Sequence, residues 1–235
     1  TFFVKPGNTV FAKNLWHGDL RIYATYDLRD VNSATSSEMN KFRQTLSGKI
    51  YTTGRCLYRR TQVYLHYAEA LNLAGFPSAA LMILKYGVCP EYVEKYVTPY
   101  ERERAGTLLT FNTTDFPNPL NGPDDAATYP IHSRGCGDTF CDTLYTLPMP
   151  ATKLASMADT IAYWQPYMDD MIIDEAALEC AFEGTRFHDL VRVALRRNDP
   201  AYLADRVARR SGTLDEALRT KLMDKKNWYL PLTNN

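Results

Sequence analysis

Two carboxylates four residues apart, Glu179 and Glu183, are the first residues to test for chemistry. On one face of a helix such a pair can act as general acid and general base. The residues that follow argue against it. Arg186, Asp189 and Arg192 continue the same stripe at steps of three, and neighbouring guanidiniums lower carboxylate pKa values until no acid is left. The signs run acid, acid, base, acid, base, which suits a ladder of ion pairs along one helical face. A cysteine working with His132 is the other catalytic arrangement to weigh. The chain has five cysteines, an odd number. Cys136 and Cys141 are near enough in GCGDTFC for a local disulfide, and Cys180 reads as a small buried hydrophobe. No C-x-x-C occurs and His132 is the only histidine near Cys136 and Cys141, so no zinc site is expected; no cofactor is expected either.

The element that must position the charged stripe is Met171–Arg197, which reads as one long helix rich in Ala, Leu, Glu and Arg. Asp174 and Glu175 near its start and Arg192, Arg196 and Arg197 near its end complement the macrodipole, and Asn198-Asp199-Pro200 stops it. Gly184 inside this helix costs roughly 1 kcal/mol against alanine, which suggests a close approach by another backbone. Residues 58–87 form the clearest pattern upstream. Val63, Tyr67, Ala70 and Ala74 recur at helical spacing beside Leu65, Ala68 and Leu71. Gly75 ends that helix and Pro77 opens a second, which carries Ala80, Leu81 and Leu84. Ala68, Gly75 and Ala80 stand where a tetratricopeptide-type hairpin needs small residues, and Tyr64, Tyr67 and Leu84 are the large ones expected between its helices. One such hairpin cannot bury its apolar face alone. The Met171–Arg197 helix is the expected partner, with Glu183, Arg186, Asp189 and Arg192 as the lock, and residues 200–210 as its return helix.

The remaining segments are less regular. Residues 1–20 are loop-like, and Ile22–Tyr26 and Lys49–Tyr58 resemble short extended pieces. Residues 88–150 are broken by repeated proline signals into a long loop-rich excursion, with a short helix possible at Pro90–Tyr96. Helical composition returns at residues 151–168, and Asp224–Asn235 reads as an edge strand or a pinned extended tail. The fold class expected is therefore mainly α: TPR-like hairpins, a long insertion and a few short strands. The 27 basic and 27 acidic residues of this 235-residue chain balance, so charge offers no case for nucleic acid. No apolar run is long enough to span a bilayer. The chain begins at Thr1 without a signal peptide, as a processed chain or an excised fragment would.

The order of motifs resembles the SusD/RagB family. Glu179-x-x-x-Glu183-Gly184-x-Arg186-Phe187-x-Asp189-Leu190-x-Arg192 resembles its C-terminal signature. Arg59-x-x-x-Val63-Tyr64-Leu65-x-Tyr67-Ala68-Glu69-Ala70 resembles its arginine-led Y-A-E-A helix, Asp19-Leu20-Arg21 its upstream D-x-R, and Trp228-Tyr229-Leu230-Pro231-Leu232 its closing segment. Family members are usually longer, so the resemblance implies one SusD-like C-terminal portion spanning residues 1–235. The second helix of the hairpin departs from the family pattern, ending Ile83-Leu84-Lys85-Tyr86-Gly87 without the usual Asn and paired arginines.

That resemblance implies a non-catalytic, surface-exposed outer-membrane lipoprotein that binds glycan or another nutrient oligomer. It would deliver this cargo to a SusC-like TonB-dependent transporter. The lipid anchor would lie outside this chain, since none of the five cysteines fits the role. Sugar binding requires flat aromatic faces with polar groups beside them. Trp16, Tyr23, Tyr26, Tyr145, Tyr163 and Trp164 are the candidates, Trp16 foremost because His17, Gly18 and Asp19 make its surroundings polar. The signature residues Asp19, Arg21, Arg59, Glu69, Glu179, Glu183, Gly184, Arg186, Asp189 and Arg192 are expected to be structural. The competing reading is a generic helical-repeat scaffold for protein interactions.

Overall fold

The computed structural model describes residues 43–46, 49–52, 59–88, 90–112 and 145–229. These residues are mainly helical, as the sequence predicts. The eight described α-helices are α1 (Arg60–Leu73), α2 (Pro77–Tyr86), α3 (Pro90–Tyr96), α4 (Pro99–Arg104), α5 (Met157–Glu179), α6 (Arg186–Arg197), α7 (Pro200–Ala208) and α8 (Glu216–Leu222). One short antiparallel ladder pairs β1 (Arg43–Leu46) with β2 (Lys49–Thr52), Arg43 opposite Thr52 and Leu46 opposite Lys49. The chain divides into two compact units between Glu179 and Cys180.

In the first unit α1 and α2 form the expected hairpin. The turn is a Schellman cap: Phe76 N–H donates to Leu71 O and Gly75 N–H to Asn72 O, which satisfies carbonyls that the end of a helix leaves open. Gly75 has φ +90°, and a Cβ there would lie 3.9 Å from Ile161 of α5. Pro77 opens α2, and two of its free N–H groups are taken by a buried carboxylate, since Glu101 of α4 accepts from Ser78 N and Ala79 N at 3.0 Å each. Ala68, Ala79 and Ala80 are fully buried, so the two helices approach closely. The stripe that faces the core is Gln62, Leu65, Ala68, Glu69, Leu71 and Asn72. Val63 and Ala70, placed on the packing stripe by sequence, are exposed instead. Leu65 and Leu71 sit one or two positions on and carry more apolar surface, so they set the rotation of the helix. Tyr67 is half-buried. Rather than filling the space between the two helices, its hydroxyl donates to Leu108 O and its ring meets Phe111 edge-on.

The hairpin's partner is α5, which packs on both α1 and α2. Met168, Ile172 and Ile173 are its buried residues toward the core, each contributing roughly 1.5–3 kcal/mol by burial. Ser156 starts the helix by accepting from Asp159 N–H while its hydroxyl donates to the Asp159 carboxylate, a reciprocal cap. Pro166 lies inside the helix and removes one backbone donor. Beside it Asn72 donates through Nδ2 to Gln165 O (2.9 Å) and Asp169 Oδ1 (3.3 Å), while Gln165 Nε2 donates to Asn72 O (2.7 Å). The excursion after the hairpin is partly helical: α3 falls at the expected Pro90–Tyr96, followed by α4 and a 3-10 turn at Gly106–Leu109.

Met171–Arg197 is not one helix. α5 ends at Glu179, a turn intervenes, and α6 begins at Arg186. Phe182 (φ +66°) and Gly184 (φ +81°) both adopt left-handed backbone there, which a right-handed helix cannot contain. A Cβ on Gly184 would meet nothing within 4 Å. Glycine therefore serves the turn's backbone conformation, not a close packing contact. The ion-pair stripe is divided accordingly: Glu179 binds Arg59, and Asp189 accepts from Arg192 at 2.9 Å.

In the second unit α6, α7 and α8 pack in sequence. Asn198 (φ +50°) ends α6, with Asp199 N–H donating to Ala194 O; Asp199 then caps α7 by accepting from Ala201 N, and Pro200 takes the first helical position. Leu190, Val193, Ala194, Leu203 and Ala204 form the core, and Cys180 is buried as expected. Tyr202 is buried beneath two guanidiniums, Arg206 at 3.7 Å and Arg197 at 4.7 Å from its ring centroid. Of the Asp224–Asn235 tail, read from sequence as an edge strand or a pinned extended segment, residues 230–235 lie outside the described residues and Lys225–Trp228 is a 3-10 turn. Asp224 caps it by accepting from Lys226 N, and the buried Trp228 indole donates to Leu222 O at 2.7 Å.

Candidate ligand-binding surface

Of the six aromatic candidates, Trp16, Tyr23 and Tyr26 lie outside the described residues, as do Asp19 and Arg21. The other three cluster around α5. Tyr145 is a core residue: it is buried, and its hydroxyl donates to Oε2 of the fully buried Glu175 at 2.6 Å. It offers no face to a ligand. Trp164 is half-buried, and its indole N–H donates to Pro148 O at 2.9 Å. Together these bonds lay the 145–148 segment along one side of α5. A second side carries Gln165 and Asp169 toward Asn72. A third side carries residues that are exposed or partly exposed.

On that third side stand Tyr163 and Tyr167. Their rings are tilted at 52° with centroids 5.3 Å apart, the contact expected of residues four apart on a helix. Tyr167 is 45% exposed and Tyr163 is partly so. The hydrogen bond between their hydroxyls raises the pKa of Tyr163 above the usual phenol value. Tyr167 was outside the sequence-derived candidates, although its spacing from Tyr163 is the signal that identifies it. Asp159, Asp170 and Asp174 fall at the same three- and four-residue steps.

A second aromatic cluster also escaped sequence reasoning. Tyr86, at the end of α2, stacks on Tyr96 of α3 with centroids 4.0 Å apart and planes 14° from parallel, while Tyr92 meets both at 5.5–5.7 Å. Lys85 lies over the Tyr86 ring at 5.3 Å and Lys95 over Tyr96 at 5.0 Å. One face of each stacked ring is thus covered by the other ring, and the outer face by an ammonium. This makes the cluster a clamp between α2 and α3, with less open ring surface than the Tyr163–Tyr167 pair.

Of the signature residues, Arg59, Glu69, Glu179 and Asp189 are buried or make contacts within the fold. Arg59 donates through Nη1 and Nη2 to Glu179 Oε1 (3.2 and 3.3 Å) and through Nη2 to Glu179 O (2.9 Å). Glu69 and Asp189 are buried. A carboxylate held by a guanidinium, as Glu179 is, is poorly suited to proton transfer. No helix among the described residues is long and apolar enough to cross a membrane.

No curated protein and no solved structure matches the chain. A family model described as "SusD family" matches residues 17–235, nearly the full length. Proteins of that family are nutrient- and glycan-binding proteins of the Sus system, typically associated with the outer membrane, and are not enzymes. With the match running from the D-x-R segment through the Arg59–Glu179 clamp to the closing tryptophan, the chain belongs to the SusD family.

Proposed function

We propose that this protein binds a glycan or other nutrient oligomer at the cell surface without catalysis and passes it to a SusC-like TonB-dependent transporter in the outer membrane. Family membership over residues 17–235 carries the reading. The Tyr163–Tyr167 pair, with Tyr167 45% exposed and Tyr163 partly so, supports it by placing aromatic rings at the surface, the kind of side chain that apolar sugar faces stack upon. Membrane association would come through a lipid anchor, as is typical of the family. Titration calorimetry of the protein against a panel of oligosaccharides and peptides tests the binding step: heat of binding with at least one is expected, and none with any would defeat the reading. Co-purification with an outer-membrane transporter from cells of the source organism tests the second step.

One observation favours the scaffold alternative. Val63 and Leu73 of α1 and Leu108 of the neighbouring 3-10 turn are 46–48% exposed, so the outer side of the repeat carries apolar surface suited to protein contact. The two readings are compatible when the contacted protein is the transporter. A protein that binds a transporter yet no oligomer would leave the scaffold reading alone standing.

A further inference from the structure

The even balance of charge along the chain conceals an asymmetry. Residues 180–235 carry eleven basic and seven acidic side chains, and residues 1–179 sixteen and twenty. The second unit is therefore the basic one, and part of its surplus collects where α8 ends. There the 3-10 turn folds back on the helix: Asn227 Nδ2 donates to Lys221 O at 2.8 Å and the Trp228 indole to Leu222 O. Those two side chains are spent on carbonyls that the helix C-terminus leaves open. Lys221, Met223 and Lys226 are exposed. Tyr229 follows Lys226 by three residues, the spacing that places side chains on one face of a 3-10 turn. It is 62% exposed, against 45% for Tyr167. From Lys221 to Tyr229 there are three lysines and one carboxylate, Asp224, which accepts from Lys226 N. Lys225 donates to Asn198 Oδ1. Among the described residues no carboxylate pairs with the Lys221 or Lys226 ammonium.

We propose that the end of α8 binds acidic oligosaccharides, with Tyr229 stacking on a sugar ring and Lys221 and Lys226 pairing with the carboxylate or sulfate groups the oligomer carries. The inference rests on the glycan-binding reading above and narrows its ligand class. A phenol ring stacks on the apolar face of any pyranose, so Tyr229 alone would not discriminate. The ammoniums do: each offers three donors and a full charge to a uronate or sulfate oxygen. Flexible lysine stems also follow acidic groups at unequal spacing, which a rigid fork would not. Exposed ion pairs contribute little one at a time, so affinity depends on several acidic groups along one oligomer. Salt screens such pairs beyond about 8 Å at physiological ionic strength, and binding falls as salt rises. An anionic membrane would meet the same lysines, but the apolar surface beside them is limited to Met223 and one phenol, less than an interfacial helix inserts. That favours the glycan.

Biolayer interferometry of the full chain on immobilised polygalacturonate, alginate and heparin tests this, with amylopectin and galactan as neutral controls. Binding to at least one acidic polymer is expected, weakening about fivefold or more between roughly 50 and 300 mM salt. Tyr229→Ala should weaken it roughly three- to tenfold, and Lys221→Gln combined with Lys226→Gln about tenfold. All three positions are exposed, so the melting temperature should hold. Arg209→Gln combined with Arg210→Gln is the control of equal charge. Those arginines are exposed too but stand beside the start of α8, where Asp215 N–H donates to Ala208 O at 3.1 Å; their loss should change binding by less than about twofold. Equal losses from the lysine and arginine pairs would reduce the interaction to bulk charge, and indifference to Tyr229→Ala would remove the stacking; either overturns the proposal. So does equally strong binding to phosphatidylglycerol vesicles with the same sensitivity to the variants. Binding to no acidic polymer overturns it as well, and the glycan-binding reading then stands if a neutral polymer or an oligomer of the calorimetric panel binds and falls if nothing does.

Discussion

Arg59 and Glu179, 120 residues apart in sequence, meet through both a charge pair and a backbone contact. The guanidinium reaches the Glu179 side chain and also its carbonyl, one of the groups that the C-terminus of α5 leaves without a helical partner. A cation at that position also faces the negative end of the helix dipole. Arg59 itself precedes α1, where the Gln62 side chain accepts from its N–H at 2.8 Å. One residue thus joins the start of the hairpin to the end of the helix packed upon it.

Arg59→Ala should lower stability by about 1–3 kcal/mol, because a mostly buried carboxylate loses charge-assisted hydrogen bonds. Partial exposure of the arginine places the effect toward the lower end. Arg59→Lys should recover little of the loss, since an ammonium cannot reproduce the fork. Urea denaturation of both variants and of Glu179→Gln measures this, and a lysine variant as stable as wild type would show that the fork geometry is unimportant.

Gly184→Ala should destabilise by about 1 kcal/mol, through backbone strain at positive φ rather than through a clash. Because the site is open, Gly184→Asn should be milder than Gly184→Val; side-chain bulk should matter only through its effect on φ. Thermal melts of the three variants give the order, and equal losses for all three would argue against a backbone origin.

Glu101 supplies a pH-dependent contribution. Burial pushes its pKa above the usual carboxylate value, while the Ser78 and Ala79 N–H groups and Arg104 pull it down without cancelling the rise. A raised folded pKa means that the native state holds the proton more tightly than the unfolded chain. The associated stability is therefore complete below the ordinary carboxylate pKa and is lost as pH rises through the folded one. Glu101→Gln removes this titration. Its stability relative to wild type should climb as pH rises through the range above the ordinary carboxylate values, whatever constant offset the lost acceptor imposes. Denaturant melts across that range read the slope, and parallel curves would contradict the assignment.

Tyr145 and Tyr167 should separate stability from binding. Tyr145→Phe removes the donor to the buried Glu175 and should cost about 1–3 kcal/mol, with ligand affinity unchanged once the protein is folded. Tyr167→Ala, at an exposed position, should leave the melting temperature within a degree or two while weakening oligomer binding. The reverse pattern would mean that the ligand contacts the 145–148 side of α5.

The helical hairpin, the start of α3, the stop at Asn198-Asp199-Pro200 and the family membership were all legible in the residues themselves. Each rests on a local rule: small residues at a helix crossing, glycine or asparagine where φ must be positive, proline at a first helical position. The break at Phe182–Gly184 was not legible, because EAALECAF has strong helical propensity and a single glycine after it fits a close packing contact as well as a left-handed turn. The break itself is made by positive φ at Phe182 and Gly184, and just before it Glu179 ends α5 against Arg59, a contact between residues 120 apart. The same limit applied to the aromatics. Their composition marked a capacity for sugar stacking, but periodicity could not separate Tyr145, whose hydroxyl is spent on Glu175, from Tyr163 and Tyr167 on the open side of α5. Which of a helix's sides is covered depends on the neighbours that pack against it. The sequence by itself determined most of the helices and the family, and the tertiary packing of α5 against Asn72 and the 145–148 segment decided which of its neighbouring aromatic rings are buried and which are exposed.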